Sequence, residues 1–270
     1  MIPNRLKAIW AEGRPSINGW LSVANSFTAE IMAAQGYDSI GIDLQHGAVD
    51  YQAALSMLQA MRASAVVPLV RVPWLEPGIV MKALDAGAYG VICPMINTAD
   101  QAAELVSYVR YPPLGQRSFG PTRANFSAGA NYAAEANGEI LVFAMVETAE
   151  AMANLDAIAA TAGLDGIYVG PADLTLGLTQ GRLTPGFDRE EAEMIEALHA
   201  IVAACRRNGI RAALHCGTPD YAAKATTWGF DMTTVSNDVR LLAGAAEAAV
   251  KRFRSLTGGD VSRPAAKGGY

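Results

Sequence analysis

The chain has 270 residues, of which 51% are hydrophobic and 17% charged, and its formal net charge is −5. The length suits one large domain or two small ones, and the low charged fraction excludes a disordered chain and a coiled coil. No basic run interleaves with aromatic residues and no apolar stretch reaches the ~20 residues of a membrane span, so no nucleic-acid or membrane partner is expected.

Short runs rich in β-branched residues alternate with longer segments of helical period along nearly the whole chain. The predicted strands are 17–23, 39–44, 66–72, 90–95, 140–146, 166–169, 210–215 and 232–235. The predicted helices are 28–35, 51–63, 78–86, 99–109, 149–161, 189–208, 219–228 and 239–254. Runs such as Tyr37-Asp38 and Phe230-Asp231 recur between a cap glycine and the next strand, which is typical of αβ loops. Asp188 is the predicted N-cap of the helix that starts at residue 189.

Eight strand–helix units in about 250 residues predict a single (β/α)8 TIM barrel, an α/β fold. A doubly wound open sheet would show fewer strands and a glycine-rich phosphate turn. The sequence has neither a G-x-G-x-x-G nor a P-loop motif, so no nucleotide cofactor is expected. The barrel domain is expected at 1–256 and a flexible or subunit-docked tail at 257–270. The Pro/Gly-rich segment 110–138 is predicted to be a long functional loop.

Cysteine use and the N-terminal residues predict the compartment. Cys93, Cys205 and Cys216 lack metal-type spacing, which indicates reduced thiols. The first ten residues carry no apolar core of a signal peptide. A cytoplasmic location is therefore expected.

Polar residues follow several predicted strands at their carboxyl ends, where the active site of a TIM barrel lies. Charged groups beside buried apolar strands are costly unless they are paired or bind a metal. Glu147 and Asp173 follow neighbouring strands. Each alone is best explained as a helix cap, but the pair favours a Mg²⁺ or Mn²⁺ site.

Three further residues at strand ends have open interpretations. His46 is either a half-buried structural histidine or an imidazole suited to base catalysis. Arg71 either pairs with a structural carboxylate or holds a substrate carboxylate or oxyanion. For His215, core packing and a supporting hydrogen bond are both plausible.

The lysines decide between two kinds of electrophile. An enzyme that forms a Schiff base on this fold needs a lysine that projects from a strand into the barrel. The lysines are Lys7, Lys82, Lys224, Lys251 and Lys267. None falls in a predicted strand, so no Schiff-base lysine is expected and a metal remains as the electrophile.

Specific motifs are distributed over most of the chain. They are TAEI at 28–31, GYD at 36–38, DLQH at 43–46, VRVP at 70–73, LDAG at 84–87, VICPM at 91–95, RYPPLGQR at 110–117, VET at 146–148, EAM at 150–152 and GIYVGPADL at 166–174. With these motifs the chain, from about residue 18 to residue 254, resembles the class II, metal-dependent pyruvate aldolases of the HpcH/HpaI family. The resemblance implies a barrel of the phosphoenolpyruvate/pyruvate type, a divalent ion (Mg²⁺, Mn²⁺ or Co²⁺) and a place in aromatic or sugar-acid catabolism.

The resemblance also implies how the donor is bound. Glu147 and Asp173 match the metal-binding carboxylates, and Arg71 matches the arginine that contacts the 2-oxo acid and its enolate. The backbone around Gly170 and Ala172 matches the segment that receives the pyruvate carboxylate.

The implied proton-transfer group involves a second set of residues. His46 matches the catalytic histidine, Asp85 matches the aspartate that partners it, and Trp20 matches a tryptophan near the pocket. Gln45 is a departure, because many relatives carry Glu before the histidine. Asp85 ends a helix that runs away from the catalytic face, so a neighbouring subunit is expected to supply it. This favours a homo-oligomer, and the resemblance implies a hexamer built as a trimer of dimers.

The expected reaction is reversible aldol cleavage of a 4-hydroxy-2-oxo acid into pyruvate, or a hydroxypyruvate-like donor, and an aldehyde. The loops at 117–132 and 179–187 are expected to select the aldehyde. One alternative is a lyase that acts on a CoA thioester, like the citramalyl- and malyl-CoA lyases. Arg117 and Arg123 are the only candidates for CoA phosphates, and they more simply shape the mouth of the site. The other alternative is a non-catalytic barrel that binds a 2-oxo acid.

Overall fold

The computed structural model describes residues 1–259 and shows a closed barrel of eight parallel strands. Each strand pairs with the next in chain order, and the eighth closes against the first, with Asn18 aligned to Thr234. The prediction of a TIM barrel is confirmed. The strands are β1 (Ser16–Leu21), β2 (Ser39–Asp43), β3 (Val67–Arg71), β4 (Gly90–Cys93), β5 (Leu141–Met145), β6 (Gly166–Val169), β7 (Arg211–Cys216) and β8 (Met232–Val235).

Helices cover the outside of the barrel. Within residues 1–259 they are α1 (Arg5–Ala11), α2 (Ser26–Ala33), α3 (Tyr51–Ala60), α4 (Pro77–Asp85), α5 (Ala99–Val109), α6 (Ala124–Ala128), α7 (Tyr132–Glu139), α8 (Ala149–Ala153), α9 (Leu155–Ala159), α10 (Pro171–Thr179), α11 (Ala192–Asn208), α12 (Pro219–Trp228) and α13 (Asp238–Thr257), with a 3₁₀ turn at Met61–Ala63. In this part of the chain, no helix combines the length and the apolar character needed to cross a membrane.

Most predicted elements are present, with corrections at the loops. The segment 110–138 is not a structureless loop, because α6 and most of α7 lie within it. The helix predicted at 149–161 is divided into α8 and α9 at Asn154. The helices α1 and α10 were not among the predicted ones. Thr257 ends α13, and residues 260–270 of the predicted tail lie outside the described residues.

Asp188 has a different function from the predicted one. The helix α11 begins after Glu191, so Asp188 is not its N-cap. Asp188 adopts φ +54°, and its carboxylate accepts hydrogen bonds from Gly217 N at 2.7 Å and Thr218 Oγ1 at 2.8 Å. It therefore ties the loop before α11 to the loop after β7.

Three aspartates repeat one arrangement at the amino ends of the strands. Asp38, Asp165 and Asp231 immediately precede β2, β6 and β8. Each accepts a hydrogen bond from the N–H of the second residue of the preceding strand, at 3.0, 2.8 and 2.9 Å respectively. Each also lies within 4.0 Å of an arginine nitrogen. The recurring αβ-loop motif of the sequence thus clamps neighbouring strands at this end of the barrel.

The strands themselves form the core. Every residue of β2, β4, β5 and β6 is buried, because the barrel interior lies on one side of each strand and the helices on the other. Charged side chains on the strands are accordingly confined to strand ends, and the carboxyl ends carry the polar groups described next.

Candidate active site

A cavity of about 360 Å³ opens at the carboxyl ends of the strands. Of the eight residues that the sequence predicts for the site, seven line this cavity. They are Trp20, His46, Arg71, Glu147, Gly170, Ala172 and Asp173. The eighth, Asp85, does not line it.

Arg71 is held at the end of β3 by a carboxylate on the neighbouring strand. Its Nε and Nη2 donate to the two oxygens of Asp43 at 2.9 and 2.7 Å. Burial raises the pKa of the Asp43 carboxyl, but the Arg71 fork and the backbone N–H groups of His46 and Gln45 outweigh burial and hold the pKa below its usual value. The pair is therefore charged, and Arg71 Nη1 has no hydrogen bond among the described residues and faces the cavity.

Trp20 lies beneath the arginine. The guanidinium carbon of Arg71 is 5.0 Å from the centre of the indole ring, a cation–π contact. The indole lies against Gly41 of β2, where a Cβ atom would come within 2.7 Å of the ring. Glycine at this position therefore makes the space that the indole occupies.

Glu147 is the most unusual carboxylate of the cavity. It is 1% exposed, its Oε1 accepts a hydrogen bond from Met95 N at 2.9 Å, and its Oε2 has no partner. Burial raises the pKa of Glu147 to about 7, and the nearby charge of Asp173 adds to the rise, while the Met95 N–H and Arg71 oppose it. Met95 holds this contact with φ +58°, in the left-handed region where a residue with a side chain is strained.

The approach to Glu147 from β6 is open because residue 170 is glycine. A Cβ atom at Gly170 would lie 2.3 Å from Glu147 Oε2. Gly170 is also the N-cap of α10, and Leu174 N is the first amide to bond back to it. The N–H groups of Ala172 and Asp173 thus belong to the first turn, where anions are stabilised by unpaired amides and the helix dipole.

The donor set fits a divalent cation. Two carboxylates in one cavity, one of them with a buried oxygen that lacks a partner, provide hard ligands and leave positions for substrate and water. Within residues 1–259, no three His, Cys, Asp or Glu side chains gather into a fuller metal cluster. The two carboxylates that line the cavity with this chemistry are those of Glu147 and Asp173.

His46 follows β2 and is exposed at the rim of the cavity. Asp43 accepts the backbone N–H of His46 at 3.2 Å, so this carboxylate orients the loop that carries the imidazole. The sequence places Asp43 in the same DLQH motif as His46 but does not reveal the main partner of Asp43, which is Arg71. The β2–β3 register aligns Asp43 with Arg71, and this pairing of strand ends could have been inferred once both strands were assigned.

The sequence model of the HpcH/HpaI aldolase/citrate lyase family matches residues 17–245. The chain belongs to this family. A hydroxypyruvate/pyruvate aldolase of Rhizorhabdus wittichii is 38% identical over 94% of this chain and 100% of that protein. A 4-hydroxy-2-oxo-heptane-1,7-dioate aldolase of Escherichia coli is 33% identical over 93% of this chain and 95% of that protein.

Solved structures agree with this assignment. The crystal structure of a HpcH/HpaI aldolase/citrate lyase family protein from Burkholderia cenocepacia matches with a TM-score of 0.85 and 33% identity, over 93% of this chain and 99% of that chain. The chain is thus a carbon–carbon lyase of the aldolase type, which acts on a small 2-oxo acid and an aldehyde. Members of the HpcH/HpaI family generally depend on a divalent metal ion.

One of the two loops that the sequence associated with the mouth lies elsewhere in this HpcH/HpaI barrel. Arg117 donates to Asp85 at 2.7 Å, and Arg123 donates to the carbonyl of Ala86. Because α4 runs back from the carboxyl end of β3 to the amino end of β4, Asp85 and both arginines lie at the amino end of the barrel. The expectation that Arg117 and Arg123 shape the mouth is wrong for the single chain, and the 117–132 segment does not line the cavity. The other predicted loop does reach it, through Phe187.

The described lysines lie outside the strands. Lys7, Lys82, Lys224 and Lys251 all lie on helices. No lysine of residues 1–259 therefore projects from a strand into the barrel.

Sequence reasoning missed a chain of buried polar groups beneath the cavity. Tyr168 Oη lies 3.0 Å from His215 Nδ1 and 2.7 Å from Thr234 Oγ1. Asn18 Nδ2 donates to the same Thr234 oxygen at 2.9 Å, and Ser39 Oγ donates to Asn18 Oδ1 at 2.8 Å. These residues come from β1, β2, β6, β7 and β8, and no local pattern indicates that their side chains share the barrel interior.

Proposed function

We propose that this chain catalyses the reversible, metal-dependent cleavage of 4-hydroxy-2-oxo acids into pyruvate, or hydroxypyruvate, and an aldehyde. The observation that carries the proposal is the buried carboxylate of Glu147, whose Oε2 lacks a partner in the same cavity as Asp173 and Arg71. A buried carboxylate with a raised pKa and an oxygen without a partner is costly for the stability of the fold. A bound cation would compensate the charge of this carboxylate and pair with its Oε2.

The metal ligands in this proposal are Glu147 and Asp173. When bound there, a divalent cation would supply Lewis-acid stabilisation of the negative charge that develops on the 2-oxo oxygen. Mg²⁺, Mn²⁺ and Co²⁺ are the candidates. The first-turn amides of Ala172 and Asp173 are suited to the carboxylate of the donor, since they point from a helix N-terminus toward the cavity.

Bond cleavage needs a proton acceptor and a stabilised enolate. His46 takes the proton of the 4-hydroxyl, the C4–O bond becomes the aldehyde carbonyl, and the C3–C4 bond breaks. Its electron pair becomes the enolate of the 2-oxo acid, which the guanidinium of Arg71 stabilises at fixed geometry because Asp43 holds two of its nitrogens. A water molecule then protonates the enolate at C3 to give pyruvate, His46 returns its proton to the resulting hydroxide, and the synthetic reaction runs through the same steps in reverse.

Asp85 joins this scheme only through a second chain. His46 lies at the carboxyl end of the barrel and Asp85 at the amino end, so we propose that a neighbouring subunit presents Asp85 to His46. The buried Arg117 guanidinium fixes the Asp85 carboxylate, whose side chain is 29% exposed. An oligomer, proposed as a hexamer built from three dimers, is supported by α13, whose large apolar side chains Leu242, Phe253 and Leu256 are each at least 66% exposed.

The alternatives have less support. A lyase for CoA thioesters needs basic groups for the phosphates near the mouth, and the two arginines suggested for this role lie at the other end of the barrel. A non-catalytic barrel that only binds a 2-oxo acid gives no reason for an unpaired buried carboxylate beside a charged arginine. A cytoplasmic location is proposed, supported by the free, buried state of the three cysteines.

The reaction is tested by pyruvate release from 4-hydroxy-2-oxo acids before and after EDTA treatment, followed by addition of single metals. We expect activity to disappear on chelation and to return with a divalent ion. Glu147→Gln and Asp173→Asn should not recover, whereas Glu150→Gln, a matched change at an exposed position, should behave like the wild type. Full activity after thorough chelation would contradict the proposed metal site.

Sharing of the site between subunits has its own test. Asp85→Ala and His46→Ala chains are inactive separately if the pair acts together. Co-expressed in one oligomer, they would restore some intact sites and a measurable part of the wild-type rate. A mixed oligomer, verified by sedimentation, that is no more active than either variant alone would exclude this arrangement.

A further inference from the structure

His215 is buried beside the cavity but has no place in the scheme above. It lies in β7, is 8% exposed and lines the cavity. Its only described hydrogen bond joins Nδ1 to Tyr168 Oη. Nε2 is not among the buried atoms that lack a partner, so it opens into the cavity.

The chain of buried polar groups beneath the cavity determines which ring nitrogen of His215 carries the proton. Ser39 donates to Asn18 Oδ1, which orients the amide so that its Nδ2 donates to Thr234. The Thr234 proton then has Tyr168 Oη as its acceptor, and the Tyr168 proton has His215 Nδ1. In this direction every buried hydroxyl proton has an acceptor, as buried polar groups require.

The opposite direction is less favourable. With the Asn18 amide reversed, the hydroxyl proton of Ser39 would be left with the sulfur of Met232, at 3.6 Å. A thioether is a weak acceptor. With the amide as it stands, reversal would leave the buried Thr234 proton without an acceptor among the described residues. His215 therefore accepts at Nδ1 and carries its proton on Nε2.

The imidazole is also neutral and fixed in place. Burial lowers the pKa of His215 to about 3, and the positive charge of Arg71 adds to this effect. The ring stacks on Phe187 with centroids 4.9 Å apart and contacts Trp20 edge-on at 5.0 Å. The hydrogen bonds of Asp188 to the loop after β7 hold Phe187 in this position.

We propose that His215 is a specificity-determining residue, whose Nε2–H donates a hydrogen bond to an oxygen on the aldehyde portion of the substrate. The inference rests on the proposed function. The groups assigned to the 2-oxo acid lie at the ends of three other strands: Arg71 is the last residue of β3, and Glu147 and Asp173 follow β5 and β6. His215 lies in β7, on the side of the cavity where Phe187 stacks on it. The aldehyde portion therefore lies on the β7–β8 side, where His215 is the buried hydrogen-bond donor.

A donor at this place discriminates between aldehydes of equal size. Glycolaldehyde carries a hydroxyl oxygen where propanal carries a methyl group. Without that oxygen, the buried N–H of His215 has no partner on the substrate, which costs about as much as one neutral hydrogen bond, or roughly tenfold in kcat/KM. The site should accordingly prefer hydroxyaldehydes.

The test compares kcat/KM for glycolaldehyde and propanal, with pyruvate as donor and saturating metal, in the wild type, His215→Leu and His215→Gln. We expect His215→Leu to lose about tenfold with glycolaldehyde and less than threefold with propanal. His215→Gln, whose amide N–H reaches the place of Nε2–H, should recover part of the preference. A ratio of the two aldehydes that is unchanged in His215→Leu overturns the inference, whereas a wild type that is inactive with both aldehydes overturns the proposed function.

The tautomer is tested without any turnover. Solid-state ¹⁵N spectra of protein labelled at histidine distinguish a protonated Nε2 from a protonated Nδ1, and His215→Gln identifies the signal. We expect a neutral Nε2–H form that persists below pH 5, and Tyr168→Phe should weaken this tautomer preference. A neutral Nδ1–H form in the wild type would overturn the inference.

Discussion

The carboxylates at the two ends of the barrel differ in whether their oxygens have partners. At the amino end, Asp38, Asp165 and Asp231 each bind a backbone N–H of a neighbouring strand and lie beside an arginine. At the carboxyl end, Glu147 is more deeply buried and one of its oxygens has no partner. Because both ends belong to the same eight strands, the difference is a property of the loops and not of the barrel.

This contrast separates stability from chemistry. A carboxylate with all its partners contributes to the free energy of folding. A carboxylate without them lowers that free energy and becomes useful only when a ligand supplies the missing charge. Arg71 and Asp43 form an intermediate case, since the pair is satisfied internally and still presents the guanidinium to the cavity. Substitutions at the carboxyl end should therefore change both activity and the free energy of unfolding, whereas those at the amino end should change only the free energy of unfolding.

The largest effect is expected from Arg71→Met. The change removes the charge that we propose stabilises the enolate and leaves Asp43 buried without its partner, so we expect a fall in kcat of about three orders of magnitude and a loss of about 3–5 kcal/mol in the free energy of unfolding. The double variant with Asp43→Asn should regain much of the stability and none of the activity. Chemical denaturation and steady-state kinetics measure the two effects. A stable and active Arg71→Met protein would show that neither the stability nor the activity depends on the Arg71–Asp43 pair.

The next effect concerns Glu147 and pH in the metal-free protein. The folded pKa of about 7 lies above the unfolded value, so the folded state binds more protons between roughly pH 4.5 and 7 and stability falls as the pH rises through this window. Glu147→Gln removes this dependence and should stabilise the metal-free protein by about 3 kcal/mol at pH 8, but hardly at pH 4. Added metal should reverse the order, because only the wild type binds it. Denaturation with EDTA at both pH values measures the difference, which would be absent if Glu147 had a buried counter-charge.

The smallest effect is expected at the amino end. Asp165→Asn keeps an acceptor for the N–H of the neighbouring strand but loses the charge that faces Arg110 at 2.6 Å. We expect a loss of about 1 kcal/mol in the free energy of unfolding and an unchanged kcat/KM. Thermal unfolding and the pyruvate assay measure the two quantities. A large loss of activity with intact folding would show that this end of the barrel also serves the chemistry.

Much of the fold was accessible from the sequence because strand periodicity and cap glycines are local signals. All eight strands were predicted with ends within two residues. The helices of segment 110–138 were missed because Pro112, Pro113 and several glycines obscure the periodicity. Asp188 was misassigned because an N-cap pattern three residues before an acid also fits a carboxylate that binds a distant loop.

For the site, the positions of strand ends and the family resemblance together predicted seven residues that line one cavity, while their roles stay predictions. The partners that tune them were not accessible in the same way. The Asp43–Arg71 pair and the N–H of Met95 depend on strand register and on a left-handed backbone at a loop. The hydrogen-bonded chain to His215 depends on which side chains point into the barrel, and that follows only from the closed sheet.

The attachment of α13 has a consequence for the cavity. Of its 20 residues, only Asp238 is buried, and its carboxylate binds the backbone N–H groups of Ser22 and Val23 after β1. Asn237 and Val239, on either side of this anchor, line the cavity. The start of α13 is thus part of the cavity rim, so a partner that covered the exposed apolar side of this helix would also lie next to the cavity.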